Sequence, residues 1–210
     1  MVHEVADVVS RRPYHHGDLK AALLAEAAII LEKEGIQALT LRAAARAAGV
    51  SHAAPKNHFG DLTGLLSELA ALGFVRFGAA LADAMAEAGD DPRQRIKAMG
   101  RGYVGFAAAH PGLFALMFRS EALDHDRPAL RDAVLNARQA LAAAVRARTP
   151  DKTMEPLQMA AQATALWSLV HGFAMLLLEG RLNGMIRPLP GNETADTLLD
   201  AVLAAIHVGD

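Results

Sequence analysis

Few residues of this 210-residue chain have the types and spacing that catalysis needs. The chain contains no cysteine, which excludes disulfides, thiolate metal sites and cysteine nucleophiles. It also has no Ser-His-Asp motif, metalloprotease helix or phosphate-binding loop. We therefore expect a protein that is not an enzyme and that uses no metal and no cofactor.

Two short patterns imitate binding sites. The segment Gly100-Arg101-Gly102-Tyr103-Val104-Gly105 has the letters of a dinucleotide fingerprint, but that motif functions between a strand and a helix, and no strand is predicted before it. Its glycines instead predict close packing of a helix, as Gly172 does. His15, His16 and Asp18 could indicate a metal site. Adjacent histidines do not share a helical face, however, so we favour a terminal arm followed by a helix cap.

The side chains best suited to binding lie in a segment that matches the chemistry of nucleic acid. Residues 35–60 include no aspartate or glutamate. Their basic or titratable side chains are Arg42, Arg46, His52, Lys56 and His58. A DNA duplex would meet no repelling carboxylate there. The formal net charge of −2 argues against a protein that coats nucleic acid without sequence preference, because such binding displaces many counterions.

Local signals place two helices and a tight turn at the start of this region. The first helix is predicted over residues 18–34, with Asp18 as its cap. Its buried face is predicted to hold Leu23, Ala27, Ile30 and Leu31. Thr40 should cap a second helix over residues 41–48, and Gly49 should supply the positive φ of the turn that follows.

The next helix is the candidate for contacting bases. We expect Ser51 to cap it and Pro55 to tighten or disturb its first turn. A helix in the major groove presents its N-terminal side chains to base edges. The side chains in question are His52 and Asn57 for bases, Lys56 and Arg42 for charge, and Ala53 and Ala54 for close approach. An ordinary helical hairpin with a polar outer face would explain the same spacing.

The rest of the chain is also predicted to be helical, because alanine and leucine are abundant while β-branched and aromatic residues are fewer. Asp61 should cap a fourth helix that ends near Met85. Further helices are predicted over residues 92–109, 113–119, 128–148, 155–182 and 193–207, with residues 121–127 as a polar loop.

One apolar segment raises the question of a membrane. Residues 156–178 contain no charged side chain and are long enough to span a bilayer. They also include Gln158, Gln162, Thr164, Ser168 and His171, which are costly at membrane depth. A helix covered by its own domain and by a partner subunit is the better explanation. Since the first residues also lack the apolar core of a secretory signal, we expect a cytoplasmic protein that does not bind membranes.

Motifs in the N-terminal region resemble the DNA-binding domain of the tetracycline-repressor (TetR) family. They are Tyr14-His15-His16-Gly17-Asp18-Leu19, Gly35-Ile36-Gln37-Ala38-Leu39-Thr40-Leu41-Arg42, Ala47-Ala48-Gly49-Val50-Ser51 and His58-Phe59, within residues 13–66. The resemblance implies that Thr40 and Arg42 lie near the DNA backbone or the groove edge. It also implies that a set of residues following Ser51 faces the groove: His52, Ala53, Ala54, Lys56, Asn57 and His58.

Two positions depart from the family pattern. Lys56 stands where the family usually has tyrosine, and Leu62 stands where a phosphate-binding lysine commonly opens the fourth helix. We expect an altered base preference and one lost phosphate contact per subunit.

Two motifs further along resemble the sensor domain of a TetR subgroup named for a Trp-His-Gly signature. They are His110-Pro111-Gly112-Leu113-Phe114-Ala115-Leu116-Met117-Phe118 and Trp167-Ser168-Leu169-Val170-His171-Gly172-Phe173, within residues 92–181. A ligand pocket needs apolar lining and a few polar groups. The predicted pocket residues are Tyr103, Phe106, Met117, Trp167, His171 and Met175, although each would serve equally as ordinary core.

The helix that carries Trp167 is apolar nearly all round, so it should be covered on two sides. We expect one side to line the pocket and the other to form a four-helix interface with a second copy of the chain, together with the last helix. The predicted interface residues are Leu166, Val170, Phe173, Leu177, Leu198, Leu199, Val202 and Ile206.

Together these features predict an all-α protein with an N-terminal three-helix, helix-turn-helix domain and a larger helical domain for ligand binding and dimerisation. The predicted divisions are a flexible arm (residues 1–12), the DNA-binding domain (13–60), a connecting helix (61–89) and the sensor domain (90–210). Such a homodimer would bind a pseudo-palindromic operator in double-stranded DNA and be released by an unknown small-molecule effector. The alternative is a helical small-molecule-binding protein or enzyme whose helix-turn-helix is only structural.

Overall fold

The computed structural model describes residues 16–148 and 154–205, and within these ranges the fold is all-α. This confirms the predicted fold class. The helices are α1 (His16–Glu34), α2 (Leu41–Ala47), α3 (Ala54–Phe59), α4 (Leu62–Glu87), α5 (Pro92–Ala109), α6 (Pro111–Met117), α7 (Pro128–Ala147), α8 (Pro156–Leu178), α9 (Asn183–Ile186) and α10 (Ala195–Ala205). A 3₁₀ turn, Ser120–Ala122, lies between α6 and α7. The predicted arm, Tyr14, His15 and Ile206 lie outside the described residues.

The N-terminal helices follow the sequence signals closely. The predicted buried face of α1 is confirmed, although the helix begins at His16 and not after Asp18. Thr40 caps α2, because its Oγ1 accepts a hydrogen bond of 3.0 Å from the Ala43 N–H. Gly49 has a φ of +67°, a left-handed conformation that favours glycine in the turn to α3.

The start of α3 differs from the prediction. Ser51 is not its cap: the cap position is Ala53, which makes no side-chain hydrogen bond. The Ala54 N–H instead donates to the Ser51 carbonyl at 3.0 Å in a tight turn. Pro55 then falls in the first turn of the helix, where its missing N–H breaks no bond. The tightened start that we expected near Pro55 is present, and the helix begins at Ala54, later than predicted.

Helix α4 packs against most of the other helices. Asp61 caps it as predicted, with Oδ1 accepting from the Gly64 N–H at 2.8 Å, and the helix ends at Glu87, just beyond Met85. In its first half Leu65 and Leu69 are fully buried where α4 meets α1 and α3. Its second half packs on α5 and α7. One continuous apolar core thus extends from α1 to α10.

The remaining helices close a second bundle around α4. The break before α5 is at Gly89, with a φ of +75°. Helix α8 ends at Leu178, earlier than predicted, because Gly180 has a φ of +69° and turns the chain into the short α9.

Residues 100–105, which have the letters of a dinucleotide fingerprint, lie inside α5, as predicted. A Cβ at Gly100 would lie 2.9 Å from Leu203 Cδ2, and one at Gly102 would lie 3.1 Å from Ala84 Cβ. These two glycines therefore let α10 and α4 approach α5 closely. Gly105 and Gly172 meet nothing within 4 Å in the described part of the chain, so the packing predicted for Gly172 is absent within one subunit.

Two of the described helices, α4 and α8, are long and apolar enough to cross a membrane by length and composition alone. In α4 the apolar stretch is 56% buried, as in the core helix of a bundle. In α8 it is only 17% buried, so α8 leaves a wide apolar face uncovered by the described residues.

Candidate nucleic-acid interface and ligand cavity

The residues predicted to contact DNA lie on one end of the molecule. Exposed side chains there belong to Thr40, Arg42, Ser51, His52, Ala53, Lys56 and Asn57, while Ala54 and His58 are half-buried. Arg46 is exposed as well. The first carboxylate after this segment, that of Asp61, is held by the backbone at the start of α4. The surface is therefore basic and free of carboxylates between residues 35 and 60.

Two residues fix the orientation of α3. Pro55 and Phe59 are fully buried and stand four positions apart, so they share the inner face of the helix. Lys56 and Asn57 consequently face solvent. The sequence motif included Phe59 without a role, and here that ring anchors the helix.

Arg127 connects the end of α3 to the far bundle, a contact that the sequence did not reveal. It lies just before α7, and its Nη2 donates to the Phe59 carbonyl at 2.9 Å while Nη1 donates to Glu68 Oε1 at 3.2 Å. Glu68 also pairs with Lys20 of α1 at 2.9 Å. Burial raises the pKa of Glu68, but the hydrogen bonds from Lys20 and Arg127 outweigh it and leave the pKa below its ordinary value.

The loop that precedes Arg127 is tied to α4 as well. The Asp124 N–H donates to Ser67 Oγ at 2.8 Å, and this buried hydroxyl donates to the Thr63 carbonyl at 2.7 Å. Residues 121–127 were predicted as a polar loop. They are polar, but they are held firmly against α4, and Leu123 among them is buried.

A second link joins α1 to the start of α6. The Glu32 carboxylate accepts hydrogen bonds from the Gly112 N–H at 2.8 Å and from the Leu113 N–H at 2.9 Å. A carboxylate at a helix N-terminus satisfies free amides and opposes the positive end of the helix dipole. Gly112 permits this approach, since a Cβ there would lie 2.8 Å from the Leu31 carbonyl oxygen.

A cavity of about 630 Å³ lies between α4, α5, α7 and α8. This volume is within the range of roughly 300–1,000 Å³ that small-molecule sites occupy. Its walls are mostly apolar, and its polar lining side chains are Tyr103, His125, Arg138, Thr164 and Trp167. His125 and Arg138 were not predicted, since nothing in the local sequence distinguishes them from other exposed basic side chains.

The predicted pocket residues divide into two groups. Tyr103, Met117 and Trp167 line the cavity, whereas Phe106, His171 and Met175 do not. Phe106 is buried in the core against the Phe77 ring, and Met175 is exposed on the outer side of α8. Helix α8 is thus rotated about its axis relative to the prediction.

Beside the cavity, Tyr103 joins two residues of α8. Its hydroxyl accepts from Trp167 Nε1 at 3.2 Å and lies 2.8 Å from His171 Nδ1. Burial raises the pKa of Tyr103 and lowers that of His171, so both side chains are neutral at pH 7. His171 also packs against the rings of Phe114 and Phe118. No three side chains that could hold a metal ion come together in the described ranges.

The predicted dimer interface also needs correction, because Val170, Phe173 and Leu199 are buried within the chain. Val170 and Leu166 line the cavity instead. Leu177, Leu198 and Val202 are half-buried against the core of their own subunit. The uncovered face of α8 is a different one, which we call the outer stripe: Leu157, Ala161, Ala165, Ser168, Met175 and Leu176.

Comparisons with known proteins agree with this architecture. Residues 96–202 match the family model described as the tetracyclin repressor-like C-terminal domain. A protein with unknown function from Rhodococcus sp. RHA1 is 36% identical, with a TM-score of 0.77 over 92% of this chain and 96% of that one. None of the curated proteins matches this sequence.

Two more distant structures share the fold. The TetR-family transcriptional regulator PfmR from Thermus thermophilus is 21% identical, with a TM-score of 0.57 over 87% of this chain and 94% of its own. A TetR-like transcriptional regulator from Rhodococcus sp. RHA1 is 19% identical, with a TM-score of 0.61 over 92% and 95% of the two chains.

The helical fold, which combines an exposed helix-turn-helix with a family-typical C-terminal domain, is that of a transcriptional regulator. Because the family model covers half of the chain, the protein belongs to the tetracycline-repressor family. The Trp-His-Gly subgroup stays a prediction, since the matching model carries only the general family description.

Proposed function

We propose that this regulator is a homodimeric repressor that binds an operator in double-stranded DNA and leaves it when a small molecule enters the cavity. One observation carries this proposal: α4 and the loop before α7 contact both sites. Ser67 and Glu68 of α4 hold the loop, while Phe74 and Phe77 of the same helix line the cavity. A shift of α4 would therefore move both the loop that holds α3 and the wall of the cavity.

The contacts suggest how ligand binding would reach α3. His125 lines the cavity, and Arg127, two residues later, holds the last carbonyl of α3. A ligand that displaces His125, or Phe118 in the same cavity lining, would shift this loop. The two helix-turn-helix domains of a dimer must lie about 34 Å apart to enter successive major grooves. A small rotation of each domain therefore weakens binding to the operator. Coupling of this kind acts in both directions.

The DNA contacts follow from exposure and chemistry. Asn57 and His52 have donors and acceptors for base edges, whereas Lys56 and Arg42 supply charge for phosphates. Thr40 and Ser51 are exposed hydroxyls that can bond phosphate oxygens, while Ala53 and Ala54 allow α3 to approach the groove. His58 is half-buried beside the ring of Phe59 and contributes less directly.

A dimer would cover the outer stripe of α8. An exposed apolar face of this length is unusual for a free subunit, and a second copy is the economical partner. A Cβ at Gly172 would meet nothing within 4 Å among the described residues, and Gly172 lies on the same side of α8 as Ser168. It would let two copies of α8 approach closely. Such a regulator works where the chromosome is, so we place it in the cytoplasm.

The direct test is a gel shift with the DNA upstream of the gene itself, at two salt concentrations. We expect a sequence-specific complex whose affinity falls steeply with salt. Lys56→Ala should weaken binding to all DNA and reduce the salt dependence. Asn57→Ala should cost about 1–3 kcal/mol on the operator alone. If the two variants exchange these effects, Lys56 contacts a guanine.

Arg146→Ala at the end of α7 is a matched control, since it removes an exposed cation far along the chain from the helix-turn-helix. Its DNA affinity should equal that of the unmodified protein. Absence of a specific complex at either salt concentration would reject the repressor and favour a small-molecule-binding protein or enzyme that uses the cavity alone.

A further inference from the structure

In the described ranges, the lining of the cavity contains basic side chains but no acidic ones. Among the described residues, Arg138 of α7 and His125 are its only basic lining side chains, and no aspartate or glutamate lines it. Both are exposed, so they stand at the solvent side of the cavity. Within the part of the chain that the structure describes, Arg138 has no hydrogen-bond or ion-pair partner.

The inner polar groups are already engaged with one another. The Tyr103 hydroxyl accepts from Trp167 Nε1 and bonds His171 Nδ1, so its hydrogen-bonding capacity is largely used. What the interior presents to a ligand is therefore apolar surface, from Phe77, Leu81 and Met99.

Helix α7 arranges these two properties on one face. Val134, Ala137, Arg138 and Leu141 all line the cavity, at the i, i+3, i+4 and i+7 spacing of a single helical stripe. The apolar side chains of the stripe face the interior, and the guanidinium stands beside them. A guanidinium forms its strongest hydrogen bonds with carboxylates and phosphates.

We infer that the cavity selects an apolar molecule with one terminal carboxylate, whose apolar body fills the interior and whose carboxylate pairs with Arg138, assisted by His125. This inference rests on the proposed function, because it names the ligand class of the same cavity. A cationic amphiphile would meet Arg138 with no compensating carboxylate and is excluded. A neutral one gains burial of its body but no ion pair.

Trp167 makes the test direct, because it lines the cavity and is the only tryptophan of the chain. Its emission is followed while decanoate, 1-decanol or decyltrimethylammonium is added, each below its micelle concentration. The three probes share a ten-carbon chain and differ in charge. We expect decanoate to bind at least tenfold more tightly than decanol, and the ammonium to bind most weakly.

The variant Arg138→Gln should bring decanoate to within threefold of decanol and leave decanol unchanged. Arg131→Gln is its matched control, since Arg131 is an exposed cation of α7 that does not line the cavity. It should keep the full preference for decanoate. Circular dichroism checks that both variants fold. Equal affinity for decanoate and decanol, no binding of decanoate, or a preference that survives Arg138→Gln would each overturn the inference.

A gel shift on the same samples separates this inference from the proposed function. If decanoate binds with the expected preference but no operator complex forms, the ligand class stands and the repressor fails. If the operator complex forms while decanol binds as well as decanoate, the repressor stands and the ligand class fails.

Discussion

At the scale of single residues, His171 is a half-buried side chain beside the cavity that bonds Tyr103 and packs on Phe114 and Phe118. We expect His171→Phe to destabilise the protein by about 1–3 kcal/mol, because the buried Tyr103 hydroxyl loses a hydrogen-bond partner while the aromatic packing survives. Urea unfolding measures this change. In the double variant Tyr103→Phe/His171→Phe both partners are apolar, so the loss should be smaller than the sum of the two single losses. Additive losses would mean that the hydrogen bond contributes nothing.

The pKa of His171 adds a dependence on pH. Burial lowers this pKa below its ordinary value of 6.5, so the unfolded chain takes up a proton that the folded chain resists. The free energy of unfolding should therefore fall as pH drops below about 6.5, and His171→Phe should remove part of that fall. An unchanged slope in the variant would contradict the assignment.

The residues that the sequence could identify are those whose role is local. Thr40, Gly49 and Asp61 act within a few positions of themselves, and all three were predicted correctly. Arg127 bonds the carbonyl of Phe59, which lies 68 residues earlier in the chain, and no local sequence pattern indicates a contact over that separation. His171 was assigned to the pocket because it stands one turn from Trp167, yet a modest rotation of α8 separates their environments.

At the scale of helices, capping offers a matched comparison. Thr40→Ala should cost about 0.5–2 kcal/mol of stability, because α2 loses its side-chain cap. Ser51→Ala should cost almost nothing, since only the carbonyl of Ser51 bonds α3. Thermal unfolding of the two variants measures both. A large loss at Ser51 would restore it as the cap of a longer helix.

Helix α3 and the far bundle are linked by Arg127, and this link can be broken alone. Arg127→Gln should weaken operator affinity several-fold and reduce the release caused by a ligand, because α3 loses the contact at its last carbonyl. Arg131→Gln removes the same charge one turn later from an exposed site and should change neither property. Operator titration with and without ligand measures both. Equal behaviour of the two variants would show that the Arg127 contact does not transmit the signal.

Helix existence was predictable where apolar spacing and caps agree, as in α4, and the apolar spacing alone was enough for α1. Two of the boundaries that failed were decided by proline or by chain reversal. Pro55 shortened α3, and Gly180 ended α8 before its apolar pattern ended. The period of α8 could not show which side faces the cavity, because the helix is apolar all round and every rotation buries similar side chains.

At the scale of the whole molecule, the outer stripe of α8 predicts how two subunits meet. Leu176→Arg should yield monomers, because it places a charge in the proposed interface. Leu135→Arg is the control: Leu135 is also an exposed leucine but belongs to α7 and not to the outer stripe of α8, so the dimer should persist. Sedimentation or light scattering distinguishes the two. Monomers in neither variant would remove α8 from the interface.

The position of α4 has a consequence for how this protein can be re-engineered. The first half of α4 packs in the apolar core of the helix-turn-helix, and its second half packs in that of the sensor. Neither unit therefore has a complete core without α4. A chimera joined between α3 and α4 would pair the head with a foreign helix and lose the packing at Leu65 and Leu69. A DNA-binding domain that is moved to another protein must therefore include the first turns of α4. The recipient protein must also supply hydrogen-bond donors for the Glu32 carboxylate and the Phe59 carbonyl.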